Sequence, residues 1–173
     1  MLRSTAGESA HENERRSRQQ SAMFVDGSQP RDVFSEFFAF AKVSRGGFTA
    51  ALSFTAPGLA GWSPTLCDEL LALTRANMQA LYDGAGASAA SWAWDDAGKR
   101  AELADADARY VIVRDAASDA LLGFVHFRFV LEGAFDALYV YELQLAQASQ
   151  RQGLGKHLMV VCELIAKKQG MHW

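Results

Sequence analysis

The chain has 173 residues, of which 50% are hydrophobic and 21% are charged, which is typical of a single soluble domain with a substantial core. Its formal net charge is −3 at pH 7, so no global positive field indicates direct binding to nucleic acid. No apolar run approaches the about 18 residues of a membrane-spanning helix, and the polar N-terminus lacks the apolar core of a secretion signal, so we expect no membrane contact.

Residues 1–29 are polar, with a mixed run of arginines and glutamates at residues 12–18. This composition predicts a disordered arm, with a basic targeting signal as the alternative. Residues 30–173 form the predicted folded domain. At its start, Phe34, Phe37 and Phe38 share one helical face, which predicts a short helix that packs onto the domain; a surface that binds another protein is the alternative.

The next part of the domain has one strand and two helix patterns. Residues 48–55 are predicted as a strand, and Ser63-Pro64 as a helix start, because serine caps a helix and proline fits its first position. This helix is predicted to end near residues 82–84, with one face made of Leu66, Leu70, Leu73, Asn77 and Leu81. A shorter helix is predicted over residues 95–103.

Three strands and a last helix follow. Residues 110–113, 121–131 and 138–145 are predicted strands, and the short turns between them predict an antiparallel meander. After Gly153 the chain is predicted to be helical, with one apolar face made of Leu154, Leu158, Val161 and Ile165. The order strand, two helices, three strands, helix predicts an α/β domain of the α+β kind.

The cysteines and histidines form no recognisable site. Cys67 and Cys162 have no neighbouring cysteine or histidine at ligand spacing, which predicts buried reduced thiols in a reducing compartment. No nucleophile motif accompanies the four histidines, which are expected to be structural or surface residues: His11, His126, His157 and His172. We therefore expect no metal.

The strand that ends at Leu145 leads through a polar loop to Gly153 and the last helix, an arrangement that binds anions. The first backbone amides of a helix have no partner, the helix dipole is positive there, and glycine admits a phosphate closely. Two nucleotide motifs are excluded. A dinucleotide fingerprint needs glycine in place of Leu158, and a P-loop needs glycine in place of Gln150 and Ser or Thr in place of His157.

The loop sequence Gln150-Arg151-Gln152-Gly153-Leu154-Gly155 resembles the acetyl-CoA loop of the GNAT superfamily of N-acetyltransferases. Residues 74–82, 124–129 and 139–145 resemble one branch of it, the NatD-type N-alpha-acetyltransferases, which modify the N-termini of histones four and two-A. The resemblance runs from about Phe34 to the last residue. It implies the GNAT acyl-CoA N-acyltransferase fold, a mixed and mostly antiparallel sheet flanked by helices.

The resemblance implies acetyl-CoA as the acetyl donor. The loop is expected to hold the pyrophosphate through backbone amides and basic side chains, and the end of the preceding strand to lie along the pantetheine and donate to the thioester carbonyl. The implied cofactor-binding residues are Leu143, Gln144, Leu145, Gln150, Arg151, Gln152, Gly153, Leu154, Gly155 and Lys156.

Glu142 is the candidate general base, acting through a water, because a charge in mid-strand among apolar neighbours costs energy unless it has a partner. The alternative is an ion pair with Arg128 or His126. Tyr141 is the candidate for positioning the amine or relaying a proton, with an aromatic core residue as the alternative. Adjacent strand residues point to opposite faces, so both serve one site only if a bulge re-aims one of them.

For the acceptor, the resemblance points to four substrate-binding residues: Tyr82, Trp92, Glu132 and Tyr139. Glu132 is expected to bind the arginine of a histone tail that begins Ser-Gly-Arg-Gly. Two departures from the branch predict a weaker grip on arginine or a changed specificity. An aspartate of the branch is replaced by Val130, and a longer spacing between Tyr82 and Trp92 makes Trp94 a competitor for the same role.

The chain ends shortly after the last helix, where the family continues with a further strand and helix, so we expect a domain that is incomplete at its C-terminus. The resemblance implies a monomeric enzyme of nucleus and cytoplasm with histone tails as partners. Two alternatives stay open: an inactive truncated chain that at most binds histone tails, and an acetyltransferase of the same superfamily that acts on small amines.

Overall fold

A computed structural model of the chain describes residues 25–26, 29–30, 38–45, 48–84, 93–132 and 135–171. These residues form a five-stranded sheet, a two-stranded ladder and three α-helices. The strands are β1 (Val25–Asp26), β2 (Gln29–Pro30), β3 (Lys42–Arg45), β4 (Phe48–Thr55), β5 (Arg109–Asp115), β6 (Leu121–Glu132) and β7 (Phe135–Leu145). The helices are α1 (Pro64–Asp83), α2 (Asp96–Leu103) and α3 (Leu154–Lys168).

The large sheet has the strand order β3-β4-β5-β6-β7, and each strand pairs antiparallel with the next one. The predicted meander from β5 to β7 is therefore confirmed, as is the α+β class. The sheet was predicted as mixed and mostly antiparallel; among the described residues every ladder is antiparallel. β7 is the last strand of the described sheet, so one of its edges faces away from β6.

The sheet buries an apolar layer on each face, because successive strand residues point to opposite sides. On one face, side chains of β5 and β6 pack against the apolar stripe of α3, and the buried residues include Val111, Val113, Val125, Phe127, Leu154, Leu158, Val161 and Ile165. On the other face they pack against α1 and α2, and the buried residues include Leu66, Leu70, Leu103, Tyr110, Ile112 and Phe124. The predicted face of α3 is thus confirmed.

The N-terminus of α1 has the predicted cap. Ser63 is extended, with φ −151° and ψ 159°, and its Oγ accepts a hydrogen bond of 3.0 Å from the Leu66 amide, while Pro64 occupies the first helical position. The buried residues of this helix lie between Leu66 and Thr74. Leu81 was placed on the same buried face, but it is 66% exposed because it lies beyond the part of α1 that covers the sheet.

Both cysteines are buried and free, as predicted. Burial raises the pKa of the Cys162 thiol to about 12, so it stays protonated at neutral pH. Among the described residues no group of three or more His, Cys, Asp and Glu side chains could hold a metal ion. None of the helices formed by the described residues is both long enough and apolar enough to span a membrane.

The segment before β4 differs from the prediction. The short helix expected from Phe34, Phe37 and Phe38 lies mostly outside the described residues. The described part has a short 3-10 turn at Phe38–Phe40 followed by β3, which was not predicted and which pairs with β4. β3 has four residues, too few for a clear period of two. Residues 31–37 and 1–24 lie outside the described residues, so Phe34, Phe37 and the disordered arm stay predictions.

The 3-10 turn contacts the start of α3. The His157 ring Nε2 donates a hydrogen bond of 2.9 Å to the Phe40 carbonyl oxygen, and the centroids of the two rings are 5.9 Å apart. This contact ties the chain before β3 to the first turn of the last helix.

Replacement of the cap residue should destabilise the domain. Ser63→Ala removes the acceptor for the Leu66 amide, so the free energy of unfolding should fall by about 1 kcal/mol. Denaturant unfolding followed by circular dichroism measures this change. The control Thr65→Ala alters an exposed neighbour in the same turn and should stay within about 0.5 kcal/mol of the wild type. Equal stabilities of the two variants would contradict the capping role.

Candidate active site

β7 contains a β-bulge beside the candidate base. His126 pairs with Glu142 and Phe127 pairs with Val140, which leaves Tyr141 as an extra residue in β7. The extra residue changes the alternation of side chains, and the Tyr141 ring stacks on the His126 ring, whose strand position faces Glu142. Tyr141 and Glu142 therefore lie on the same face of the sheet, which is the condition that the sequence set for a shared site.

The Glu142 carboxylate is almost completely buried and has two partners. Its side chain is 10% exposed, and its Oε1 accepts a hydrogen bond of 3.0 Å from Lys99 Nζ of α2. Its Oε2 accepts a hydrogen bond of 2.7 Å from Gln144 Nε2. Lys99 Nζ also contacts the Glu102 carboxylate at 3.0 Å. Burial alone would lower the pKa of Lys99, but the hydrogen bonds to Glu102 and Glu142 outweigh it. The net pKa is raised above its ordinary value, so the ammonium keeps its charge.

The sequence-based alternative, an ion pair of Glu142 with Arg128 or His126, is wrong. The Arg128 guanidinium instead contacts the Asp105 carboxylate at 3.2 Å and the Glu102 carbonyl oxygen at 3.1 Å. Burial, together with the nearby cations Arg128 and Lys99, lowers the pKa of His126 to about 3. A neutral imidazole cannot balance a carboxylate, so the counter-charge comes from α2.

Tyr141 is an exposed residue on an aromatic stack, and the alternative of a core residue is wrong. Its ring is 42% exposed and lies 5.2 Å from the His126 ring, which in turn lies 5.0 Å from the buried Tyr110 ring. The Arg128 guanidinium carbon is 4.6 Å from the centroid of the Tyr141 ring. The phenol is thus fixed by stacking and by a cation–π contact while its surface remains accessible.

A hydrogen-bond network connects Glu142 to the loop before α3. Asn77 Nδ2 of α1 donates to Gln144 Oε1 at 2.9 Å and to the Leu145 carbonyl oxygen at 3.1 Å. Gln150 Nε2 donates to the same carbonyl oxygen at 3.2 Å. A cavity of about 300 Å³ lies here, lined by Asn77, Leu143, Gln144, Leu145 and Gln150. A larger cavity of about 610 Å³ lies between β4, β5 and α1, and it contains none of the predicted site residues.

The loop before α3 has the backbone of an anion site. Arg151 has φ 61° and Gly153 has φ 78°, so the chain turns sharply through left-handed positions before the helix begins. His157 is the first residue whose amide bonds back into the turn, to the Gly153 carbonyl oxygen at 3.1 Å, and no side chain caps the helix. The amides before His157 therefore remain available to a ligand.

Charges and packing in this loop fit a pyrophosphate. Arg151 and Lys156 are both exposed on either side of the helix start. The Gln152 side chain donates to the Ala148 carbonyl oxygen at 2.8 Å, which braces the turn. A Cβ atom added at Gly155 would lie 3.6 Å from Leu145 Cδ1, in ordinary contact, so the loop packs on the end of β7. The residues present thus match the coenzyme A pyrophosphate in both hydrogen bonding and charge.

Residues 72–173 match the model of the acetyltransferase (GNAT) family. The chain belongs to this family. It is an acetyl-CoA-dependent acetyltransferase, and the expected fold is confirmed.

Solved structures of acetyltransferases resemble the chain at low sequence identity. A ribosomal-protein-alanine N-acetyltransferase from Brucella melitensis biovar Abortus 2308 is 18% identical with a TM-score of 0.50, and the match covers 70% of this chain and 75% of that one. An aminoglycoside acetyltransferase from an uncultured soil metagenomic sample is 17% identical with a TM-score of 0.47, over 70% and 74% of the two chains. A putative acetyl transferase from Pyrococcus furiosus is 15% identical with a TM-score of 0.47, over 69% and 77%.

The four predicted acceptor-binding residues are only partly brought together. Tyr139 is 51% exposed, and its ring centroid lies 5.0 Å from that of Tyr141. Glu132 is exposed at the end of β6, and alternation along the strand places it on the same face as Arg128. Tyr82 lies at the end of α1, where its ring contacts the Trp94 ring.

Of the two competing tryptophans, the described one is Trp94. Its ring centroid is 5.8 Å from that of Tyr82 in an edge-to-face contact, and its Nε1 donates a hydrogen bond of 2.6 Å to Asp96 Oδ1. Trp92 lies outside the described residues, so its predicted role remains a prediction. Trp94 is accordingly the tryptophan that the structure places beside Tyr82.

Sequence reasoning missed the side chains that hold the site in place. Asn77 was assigned to the buried face of α1, and a lone amide on an apolar stripe was the available signal that it needed a partner. Lys99 had no such signal, because a lysine in a short charged helix is usually solvated. Its contact with Glu142 depends on how α2 packs against β7, which local patterns do not contain.

His126 should make stability depend on pH. Its folded-state pKa of about 3 lies below the value of about 6.5 in the unfolded chain, so the unfolded chain binds the proton preferentially as pH falls through this range. Between pH 7 and pH 5 the wild type should lose about 2 kcal/mol of unfolding free energy through this group. His126→Phe should lose correspondingly less in denaturant titrations at the two pH values. Parallel losses in both proteins would rule out this contribution.

Proposed function

We propose that this acetyltransferase holds acetyl-CoA between the end of β7 and the start of α3 and acetylates an amine bound on the Tyr141 face of the sheet. The observation that carries the proposal is the bulge at Tyr141. It places a buried carboxylate and an exposed phenol on one face of a strand that continues directly into the anion-binding loop.

Binding of the cofactor is supported by the loop geometry. The amides at the start of α3 face the pyrophosphate, with Arg151 and Lys156 adding positive charge. Backbone groups of residues 143–145, on the edge of β7 that faces away from β6, lie along the pantetheine and donate to the thioester carbonyl. When bound, acetyl-CoA supplies an acetyl group activated as a thioester.

Glu142 accepts the proton that the amine must lose to become a nucleophile. Its carboxylate already accepts bonds from Lys99 and Gln144, and a carboxylate has about four acceptor positions, so a water can occupy another one. The proton passes through that water, in keeping with the burial of the carboxylate. Tyr141 positions the amine or relays the proton through its hydroxyl group.

The acceptor is proposed to be the N-terminal amine of a protein, with the tails of histones four and two-A as substrates and binding partners. Support comes from the resemblance to the NatD-type branch and from the exposure of Tyr139 and Glu132 on the Tyr141 side of the sheet. Tyr82 with Trp92 or Trp94 holds the first residues of the peptide, and Glu132 binds the arginine. The enzyme is proposed to act as a monomer in nucleus and cytoplasm.

Thiol release from acetyl-CoA tests this function with four acceptors. The first is a histone-four tail peptide beginning Ser-Gly-Arg-Gly, and the second is the same peptide with its N-terminus blocked. The third has alanine in place of the arginine, and the fourth is spermidine. Turnover of the free peptide and not of the blocked one supports N-terminal transfer. Turnover of spermidine alone favours a small-amine enzyme, and no turnover with any amine favours the inactive chain.

Removal of the base should slow catalysis more than binding. Glu142→Gln keeps the size of the side chain and should lower kcat by about 100-fold, because it removes the proton acceptor. The affinity for coenzyme A, measured by calorimetry, should change little. Glu163→Gln alters an exposed glutamate on α3 and serves as the control. A Glu142→Gln enzyme with the wild-type kcat would eliminate Glu142 as the base.

Loss of the loop charges should weaken cofactor binding. Arg151→Ala and Lys156→Ala each remove one cation beside the pyrophosphate and should each weaken coenzyme A binding by about tenfold at low salt. The difference from the wild type should shrink as salt is added, because exposed charges are screened. Lys167→Ala removes an exposed lysine from the far end of α3 and should leave the affinity unchanged. Equal affinities of all four proteins would refute the assigned loop.

A further inference from the structure

We propose that Lys99 is a positioning residue of this acetyltransferase, which holds the Glu142 carboxylate oriented toward the acceptor face. The inference rests on the proposed role of Glu142 as the base. Lys99 belongs to α2, and it acts through Glu142 without being required to touch either substrate.

The contact between the two side chains is shielded from water. Lys99 is 11% exposed and Glu142 is 10% exposed, and their charged atoms are 3.0 Å apart. Burial disfavours the charged form of a carboxylate unless a cation or hydrogen-bond donors face it. Gln144 supplies a neutral donor and Lys99 supplies the positive charge. Lys99 therefore fixes the carboxylate by charge as well as by a hydrogen bond.

The other charged groups around Glu142 cannot replace Lys99. Across the strand pair, His126 of β6 is neutral, and Arg128 contacts Asp105 and the Tyr141 ring instead. Glu102 of α2 is an anion and bonds to Lys99 at 3.0 Å. Within the part of the chain that the structure describes, Lys99 is thus the cation in contact with the base.

Glu102 gives Lys99 a second partner during the proposed reaction. When Glu142 takes the proton from the amine, its charge is neutralised and its attraction for the ammonium falls. Lys99 then remains paired with Glu102, which is 34% exposed, so no isolated charge is left in the site. After the proton leaves Glu142 for water, the original pair forms again without a movement of α2.

Helix α2 is held against α1 by contacts that do not involve Lys99. Arg75 of α1 pairs with Asp96, and Arg100 pairs with Asp68 of α1. The side chains of both pairs are largely exposed, and the two ion pairs do not involve Glu142. This arrangement offers a matched control, because Arg100→Met removes an ion pair of the same helix without altering the partner of the base.

The kinetic test compares Lys99→Met, Lys99→Gln, Lys99→Arg and Arg100→Met with the wild type, with acetyl-CoA and the histone-four tail peptide. Lys99→Met and Lys99→Gln should lower kcat by about tenfold or more with the KM for acetyl-CoA within about twofold, because the charge and not the cofactor contact is lost. Lys99→Arg should recover part of the rate, and Arg100→Met should match the wild type. Equal losses in Arg100→Met and Lys99→Met would instead indicate a general role of α2.

A double-mutant cycle distinguishes the two proposals. If Lys99 acts through Glu142, Lys99→Met combined with Glu142→Gln should be no slower than Glu142→Gln alone; additive losses would overturn the inference. The double variant has no buried carboxylate at position 142 without its cation, and Glu102, which also loses Lys99, is 34% exposed, so the double variant remains measurable where Lys99→Met is unstable. A wild-type rate for Glu142→Gln would instead overturn the proposed base.

A second readout needs no acceptor. Carbon-13 NMR of the glutamate carboxyl groups, with Glu142 assigned from its absence in Glu142→Gln, reports the surroundings of this carboxylate at neutral pH. The Glu142 carboxyl resonance should shift in Lys99→Gln and stay in place in Arg100→Met, because only the former loses the ammonium that contacts it. Identical resonances in all three proteins would overturn the inference, whatever the enzyme acetylates.

Discussion

The bulge at Tyr141 is the constraint on which the site depends. In a regular strand Tyr141 and Glu142 would point to opposite sides, and one of them would be directed into the layer between the sheet and α3. One extra residue between the partners of His126 and Phe127 removes that conflict. The apolar side chains of β6 keep their alternation, since the insertion lies in β7. The same pair of strands can therefore bury apolar side chains in the core on one face and present Tyr141 and Glu142 together on the other.

Two cations lie beside the bulge, one against each candidate residue. Arg128 lies against the Tyr141 ring and Lys99 contacts Glu142, while Asp105 and Glu102 hold them from the side of α2 and its following turn. The neutral His126 ring separates Tyr141 from the core as a flat spacer. The short helix α2 therefore contributes as much to the geometry of the site as the strand that bears it.

Local sequence patterns predicted the parts of the molecule that local physics determines. The cap at Ser63, the apolar stripe of α3 and the meander from β5 to β7 follow from capping, periodicity and short turns. β3 escaped prediction because four residues carry too little periodic signal and its pairing with β4 is a tertiary contact. Similarly, alternation along β7 indicated that Glu142 needed a partner, but the identity of that partner depends on the packing of a helix 43 residues away in the chain.

The contact between His157 and Phe40 bears on where the catalytic domain begins. The imidazole belongs to the same helix turn that follows the anion-binding loop, and its acceptor belongs to the segment that precedes β3. Movement or removal of that segment would be felt in the first turn of α3, behind the amides. The 3-10 turn at Phe38–Phe40 is thus a structural support behind the start of α3, and a shortened chain that is to keep this helix start in place has to include the turn.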